Sequence, residues 1–216
     1  MNERIREDLE AQCRERLGRP RLRVISVDPI PEGHSGFTYF VTIDDGDGLH
    51  ARYVLRLPPP GARIAGPADV IRQGRIMAAL HDAGLPTPAI PVLVTEPVVD
   101  DRPFVLMEAV EGDRIEKAGA AQRALDISTS AVRVLKQLQA LPLERTGISG
   151  EEPVSLQAEM MRWAWLMQRA PEELTTRAGE LGGLLAGLVP AERVPTLVHG
   201  DYHYGNMLFR GAEVVA

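Results

Sequence analysis

The stretch His199-Gly200-Asp201-Tyr202-His203-Tyr204-Gly205-Asn206 places a carboxylate five positions before an amide, near the end of a 216-residue chain. A loop that transfers phosphate needs a carboxylate to orient the acceptor hydroxyl and take its proton, and a nearby amide oxygen to bind magnesium. Asp201 and Asn206 supply these groups, and the two glycines favour a compact loop that aims both into one site. The pattern predicts Asp201 as a catalytic residue and Asn206 as a metal ligand.

Two other interpretations of this stretch remain open. Glycine, aspartate and asparagine are also common in turns for purely local reasons, with the aspartate as a cap and the histidine as a structural hydrogen-bonding group. Alternatively, His199, Asp201 and His203 alternate along the chain, so an extended strand would place all three on one face and create the site of a metal-dependent hydrolase. Gly200 and Gly205 favour a loop over that strand.

The first half of the chain, far from the loop in sequence, has the pattern of an antiparallel sheet. Alternating, β-branched segments predict strands, and the glycine-rich and aspartate-rich stretches between them predict turns. The predicted strands are 22–30, 37–43, 52–57, 92–95 and 104–107. A helix is predicted at the N-terminus over 2–18, and a second over 68–83, where Gly84 ends it.

The second half of the chain has mainly helical periodicity. Helices are predicted over 120–141, 156–168 and 172–188. Short strands are predicted on either side of the loop, at 196–198 and 207–209, and a return strand begins at 214. The chain is therefore predicted to have an α+β fold, with sheet and helices segregated along the sequence.

Five motifs in the same order resemble the aminoglycoside phosphotransferase and choline kinase relatives of protein kinases. The loop at 199–206 is similar to their H-G-D-x-x-x-G-N signature, and 32–39 resembles their glycine-serine turn. The other three are the strand Tyr53-Val54-Leu55-Arg56, the helix at 72–80 with its G-x-P-x-P exit at 84–88, and the segment 104–112. The pattern is most similar to the kinase-like domains linked to acyl-CoA dehydrogenases.

This resemblance implies a two-lobed protein-kinase-like fold. The N-terminal, nucleotide-binding lobe would span 1–108 and consist of an antiparallel sheet plus one helix. A hinge at 109–112 would join it to a mainly helical, incomplete C-terminal lobe at 113–216 that carries the catalytic loop. The implied reaction is transfer of the γ-phosphate of ATP to a hydroxyl of a small molecule, with Mg²⁺ as the second cofactor.

The resemblance also implies which residues hold the nucleotide. The expected set comprises Gly33, Ser35 and Gly36 over the phosphates, Arg56 as the phosphate-binding cation, and Met107, Glu108 and Val110 around the adenine. The aspartate that would complete the magnesium site with Asn206 falls beyond Ala216 in the family pattern. Residues 1–216 alone are therefore expected to show little or no turnover.

Three positions depart from the family pattern. Ser35-Gly36 stands where Ser-Asn is more frequent, and Arg56 stands where many kinases have lysine. Gln73 occupies the helix position that normally supplies a glutamate to pair with that cation, and a glutamine forms no ion pair. Arg56, Gln73 and the position of the expected aspartate beyond Ala216 leave open an alternative function, a non-catalytic nucleotide-binding or regulatory module of the pseudokinase kind.

Composition narrows the class of protein further. The formal net charge is −6 and there is no basic cluster, so no nucleic-acid partner is expected. The chain contains one cysteine, Cys13, which excludes an internal disulfide and fits a reducing cytoplasm. No apolar run is long enough to span a membrane, so no membrane partner is expected. Nothing in the sequence specifies an oligomeric state.

Overall fold

A computed structural model describes residues 2–30, 37–61, 66, 69–117, 120–191 and 194–216. The glycine-serine turn with Gly33, Ser35 and Gly36 lies outside the described residues. The chain divides into two units, one formed by Met1–Ser149 with Leu197–Ala216 and the other by Gly150–Thr196. The lobe boundary at 109–112 stays a prediction.

The larger unit contains the antiparallel sheet that the sequence predicts. Its five strands are β1 (Arg23–Pro29), β2 (Phe37–Asp44), β3 (His50–Leu57), β4 (Val92–Val99) and β5 (Arg102–Glu108). The strand order is β1-β2-β3-β5-β4, and every neighbouring pair is antiparallel. The β2–β3 turn contains Gly46 and Gly48 at positive φ, as the predicted hairpin requires.

One face of the sheet is covered by helix α1 (Asn2–Leu17). Ile5, Leu9 and Cys13 recur at helical spacing on one side of α1, and all three are fully buried against strand residues such as Leu55 and Phe104. Burial raises the pKa of the Cys13 thiol to about 12, so this cysteine is a core residue without thiolate chemistry at neutral pH.

Helix α2 (Val70–Asp82) lies against the opposite face. The Asp69 side chain caps its first turn by accepting hydrogen bonds from the N–H groups of Ile71 and Arg72. Val70 and Ile71 pack with Val105 of β5. The approach is close because α2 carries Gly74, where an added Cβ would lie 2.6 Å from Val105 Cγ2.

We expect Gly74→Ala to destabilise the protein, although alanine favours a helix by about 1 kcal/mol over glycine. The new methyl group would overlap Val105 and Leu93, and overpacking of this kind costs about 1–3 kcal/mol. Chemical denaturation would measure the loss. Gly183→Ala is the matched control, because no atom lies within 4 Å of a Cβ added there. An unchanged or higher stability for Gly74→Ala would contradict the close packing of α2.

Helix α3 (Ala120–Ala140) and the hairpin β6 (Phe209–Arg210) with β7 (Glu213–Val214) complete the larger unit. Ile127 and Ala131 of α3 are buried with Met207, Phe209 and Val214. The strand predicted at 196–198 was wrong, since the described residues around it form no strand. A strand exists only where a neighbour pairs with it, and the segment has no pairing partner among the described residues.

The unit Gly150–Thr196 contains helices α4 (Leu156–Met167), α5 (Glu172–Thr175) and α6 (Ala178–Leu188). The prediction of one continuous helix over 172–188 was wrong. Residues 176–177 separate α5 from α6, and the backbone of Arg177 departs from helical geometry. Across the described parts of the chain, none of the helices combines the length and the apolar character needed to cross a membrane.

Candidate active site

Residues 199–206 form a compact loop rather than an extended strand. Gly200 has a φ of +83°, a left-handed conformation that glycine adopts without strain. Residues Tyr204–Asn206 then make one turn of 3₁₀ helix, in which the Asn206 N–H donates to the His203 carbonyl at 3.0 Å. The loop therefore folds back on itself and brings its two ends together.

The fold of the loop places Asp201 and Asn206 in contact. The Asn206 Nδ2 donates to the Asp201 carboxylate oxygen Oδ2 at 2.8 Å and to the Asp201 carbonyl at 3.0 Å. Because the NH₂ group is used in these two bonds, the amide oxygen of Asn206 points to the other side. An amide oxygen is a hard donor of the kind that Mg²⁺ prefers. Asn206 therefore offers one oxygen that fits a magnesium ion.

His199 and His203 have different roles from those required by a hydrolase metal site. The Nδ1 of each ring accepts a backbone N–H, from Asp201 at 3.3 Å and from Gly205 at 3.1 Å respectively. Of these ring nitrogens, only the Nε2 of His203 approaches the Asp201 carboxylate, at 3.6 Å from Oδ2. The shared face postulated for His199, Asp201 and His203 is not formed, and the described residues contain no cluster of three such side chains able to hold a metal.

Two tyrosines attach the loop to helix α3. The Tyr202 hydroxyl donates to the Ala131 carbonyl at 2.6 Å, and the Tyr204 hydroxyl lies 3.0 Å from the Ser128 hydroxyl. Burial raises the pKa of Tyr202, so its phenol is a neutral donor at physiological pH. The Tyr202 ring also packs edge-on to His199, with 5.4 Å between ring centroids.

The segment that follows the loop is bonded to the predicted hinge region. Asp113 and Phe209 exchange two backbone hydrogen bonds of 2.8 Å, and the Arg210 guanidinium donates to the Glu111 carbonyl at 3.3 Å. A Cβ added to Gly112 would lie 2.9 Å from the Leu208 Cβ. The residues after the hinge thus lie directly against the strand that leaves the loop.

Arg56 is a partly buried cation on β3. Burial lowers the pKa of its guanidinium, which means that the charged form has lost part of its hydration. None of the carboxylates in the described ranges pairs with it. A desolvated charge without a counter-ion is unfavourable, and an anion such as a phosphate would relieve that cost.

Met107, Glu108 and Val110 lie at the end of β5 and just after it. Met107 is buried and pairs with Val54 of β3, two pairs along from Arg56 and Val105, so these residues belong to neighbouring strands. The Glu108 N–H donates to the Ala89 carbonyl at 2.9 Å. Within the part of the chain that the structure describes, the Val110 N–H donates to no acceptor, which leaves it available to a ligand.

The sequence-predicted residues therefore fall into two groups. Asp201 and Asn206 are in direct contact, and Arg56 and Met107 are carried by paired strands. The attachment of the loop to α3 through Tyr202 and Tyr204 was not predicted from the sequence. The alternation of two tyrosines within the motif was the only signal, and their partners lie 71 and 76 positions away.

A five-stranded antiparallel sheet, followed by helices and by a loop in which an aspartate contacts an asparagine, is the arrangement expected of the kinase-like phosphotransferase fold. Residues 26–216 match the model of APH, the phosphotransferase enzyme family, and the chain belongs to that family. The family assignment and the kinase-like α+β fold predicted from the sequence are thereby confirmed.

Solved structures of aminoglycoside phosphotransferases share this fold. A Ralstonia eutropha protein assigned as an aminoglycoside phosphotransferase superposes with a TM-score of 0.72 at 23% identity, covering 97% of this chain and 62% of that one. A thermostable mutant of APH(4)-Ia, in a ternary complex with AMP-PNP and hygromycin B, superposes with a TM-score of 0.67 at 16% identity, covering 97% of this chain and 69% of that one. At these identities the likeness establishes the fold alone.

Curated relatives include acyl-CoA dehydrogenase family members. Member 10 of Mus musculus is 28% identical over 192 residues, which cover 85% of this chain and 18% of the relative. Member 11 of Rattus norvegicus is 26% identical over 216 residues, which cover 95% and 27%. The chain thus spans about a quarter or less of the length of these two relatives.

Proposed function

We propose that this protein transfers the γ-phosphoryl group of ATP to a hydroxyl of a small molecule. The observation that carries the proposal is the contact between Asp201 and Asn206, which puts a carboxylate and an amide oxygen in one exposed loop. The bond formed joins the acceptor oxygen to the γ-phosphorus, and the bond broken joins that phosphorus to the β–γ bridging oxygen. The products are a phosphate ester, ADP and a proton.

In this proposal Asp201 accepts the proton of the acceptor hydroxyl. Its side chain is 75% exposed, so an acceptor molecule can reach it from solvent. The hydrogen bond from Asn206 to Oδ2 fixes the orientation of the carboxylate and leaves Oδ1 for the hydroxyl. Asn206 would hold Mg²⁺ through its amide oxygen. The ion, when bound, supplies positive charge that offsets the charge developing on the transferred phosphoryl group.

The nucleotide would be held by β3, β5 and the segment after β5. Arg56 offers a desolvated positive charge for the phosphates, and Val110 offers an unused backbone N–H for the edge of the adenine. Gly33, Ser35 and Gly36 are proposed to cover the phosphates with their backbone. APH(4)-Ia, a protein of the same fold, has been crystallised with AMP-PNP, and this supports an adenine nucleotide as the phosphate donor.

Replacing Arg56 tests the nucleotide site. We expect Arg56→Met to weaken ATP binding by about 10- to 100-fold, because a charge-assisted hydrogen bond contributes about 1.5–3 kcal/mol. Adenosine binding should change little, since adenosine has no phosphate. The thermal midpoint should stay unchanged or rise, because the substitution removes a desolvated cation. Isothermal titration calorimetry and thermal unfolding would measure both effects.

Arg56→Lys is the matched control, because it keeps the charge and loses the planar, two-pronged donor. Its affinity for ATP should fall between those of the wild type and Arg56→Met. Equal loss of adenosine and ATP binding in Arg56→Met would contradict a phosphate-binding role and indicate a general disturbance of β3.

A screen of hydroxyl compounds would identify the acceptor. Hydroxyacyl compounds should be screened first, because the curated relatives are acyl-CoA dehydrogenase family members, and hygromycin B is the comparison, because it is bound in the complex of APH(4)-Ia. ADP release that depends on one class of acceptor would support the proposal. In a longer chain that also carries the aspartate expected beyond Ala216, binding of MgATP without transfer to any acceptor would favour the second candidate, a non-catalytic nucleotide-binding module. The departures at Arg56 and Gln73 from the family pattern favour that candidate.

A further inference from the structure

Helix α3 presents two oxygen atoms to the loop at 199–206. They are the carbonyl of Ala131 and the hydroxyl of Ser128, three positions apart and therefore on one side of the helix. Tyr202 and Tyr204, the residues on either side of His203, contact these two oxygens through their hydroxyls. Two side chains of the loop thus meet two groups of one helical face.

These contacts matter because the polar groups of Asp201 are bonded within the loop itself. Its carboxylate contacts Asn206 and lies near His203, and its N–H donates to His199. Within the described ranges, no side chain from outside the loop contacts that carboxylate. The position of Asp201 relative to the rest of the molecule therefore depends on the residues that attach the loop, which include the two tyrosines.

The two attachments are not equal. Tyr202 is partly buried, packs against the cluster of Ile127, Ala131 and Met207, and makes a short bond of 2.6 Å to a backbone carbonyl that cannot rotate away. Tyr204 is 40% exposed and bonds to a hydroxyl that can rotate and can exchange its partner for water. Buried hydrogen bonds restrict a loop more than exposed ones, so Tyr202 is the principal attachment.

We propose that Tyr202 is a positioning residue for phosphoryl transfer. The hydrogen bond from its hydroxyl to the Ala131 carbonyl holds the Asp201–Asn206 pair at a fixed position relative to helix α3. Tyr204 and Ser128 form a second, weaker attachment. The inference rests on the proposed function, because it assigns a role relative to Asp201 and Asn206. It concerns residues of this chain only and requires no contact between Tyr202 and a ligand.

The test uses Tyr202→Phe, which keeps the aromatic ring and removes only the hydroxyl. The first readout is hydrogen exchange at the backbone amides of residues 201–206 without ligand, which we expect to become about tenfold faster. The second is the affinity of Mn²⁺ for the complex with AMP-PNP, measured by electron paramagnetic resonance and expected to fall about 3- to 10-fold as Asn206 loses its fixed position. The affinity for AMP-PNP without metal should stay within about twofold.

Tyr204→Phe and Ser128→Ala provide a second, independent comparison. Each is expected to change the exchange rates less than Tyr202→Phe does, and the double variant should show no further effect beyond either single variant, because the same bond is lost. Additive effects would mean that Tyr204 and Ser128 are not coupled.

The outcomes separate this inference from the proposed function. A wild-type protein that does not bind AMP-PNP in the presence or absence of Mn²⁺ contradicts the proposed function, while faster exchange in Tyr202→Phe would still establish the attachment. A second result is that the wild-type protein binds AMP-PNP and Mn²⁺ while Tyr202→Phe has the same exchange rates and the same Mn²⁺ affinity as the wild type. That result would overturn the positioning role. A lower melting temperature with unchanged exchange and unchanged Mn²⁺ affinity also overturns it, since it indicates a role in stability only.

Discussion

Replacing Asp201 by asparagine is expected to lower the rate of phosphoryl transfer by about a thousandfold, while the affinity for MgATP changes by less than about threefold. The substitution keeps the size of the side chain and the hydrogen bond from Asn206, but it removes the basic oxygen that accepts the proton of the acceptor hydroxyl. General bases contribute about 10²- to 10⁴-fold to a rate, which sets the expected magnitude.

The measurement is ADP release at saturating MgATP, with the acceptor found in the screen and in a longer chain that also carries the aspartate expected beyond Ala216. Asp47→Asn is the matched control, because it makes the same change of charge at an exposed residue of the β2–β3 turn. Its rate should equal that of the wild type. If Asp201→Asn retained more than about a tenth of the wild-type rate, Asp201 would not be the base, and the loop would have to act only by binding.

Gly147→Ala is expected to cause the largest loss of stability of any single glycine-to-alanine change discussed for this protein. Gly147 has a φ of +77°, where a residue with a Cβ is strained by about 1–2 kcal/mol. The added Cβ would also lie 2.5 Å from the Arg75 carbonyl oxygen of α2, a backbone atom that cannot move aside without disturbing the helix. Together these effects predict a loss of about 2–5 kcal/mol in the free energy of unfolding.

Gly84→Ala separates the two contributions. Gly84 also has a positive φ, of +80°, but no atom lies within 4 Å of a Cβ added there. It should therefore cost only the conformational part, about 1–2 kcal/mol. Urea denaturation of both variants gives the difference directly. Equal losses for the two variants would show that the chain at Gly147 does not lie against α2 as closely as the structure has it.

The parts of the fold that follow from local patterns were predictable. Strand β2 alternates in burial, and α1 and α2 carry apolar residues at helical spacing, so neighbouring residues alone indicate these elements. The contact between Asp201 and Asn206 was predictable for the same reason, because both residues and the glycines that shape the turn lie within eight positions.

The parts that depend on distant partners were not predictable. The strand expected at 196–198 has the composition of a strand, but pairing decides whether one forms. The attachment of Tyr202 to Ala131, the desolvation of Arg56 and the approach of Gly147 to Arg75 all arise from packing between segments far apart in sequence. Resemblance to a family indicated which residues matter, and only the fold shows how they are held.

The most direct test of the account is a calorimetric titration of the protein with ATP, first with EDTA and then with Mg²⁺. We expect ATP to bind in EDTA through Arg56 and the segment after β5, and we expect Mg²⁺ to tighten that binding several-fold through Asn206. Asn206→Leu should bind ATP in EDTA as tightly as the wild type does, but Mg²⁺ should no longer tighten its ATP binding. The absence of binding in both conditions would contradict the assignment of a nucleotide site to this chain.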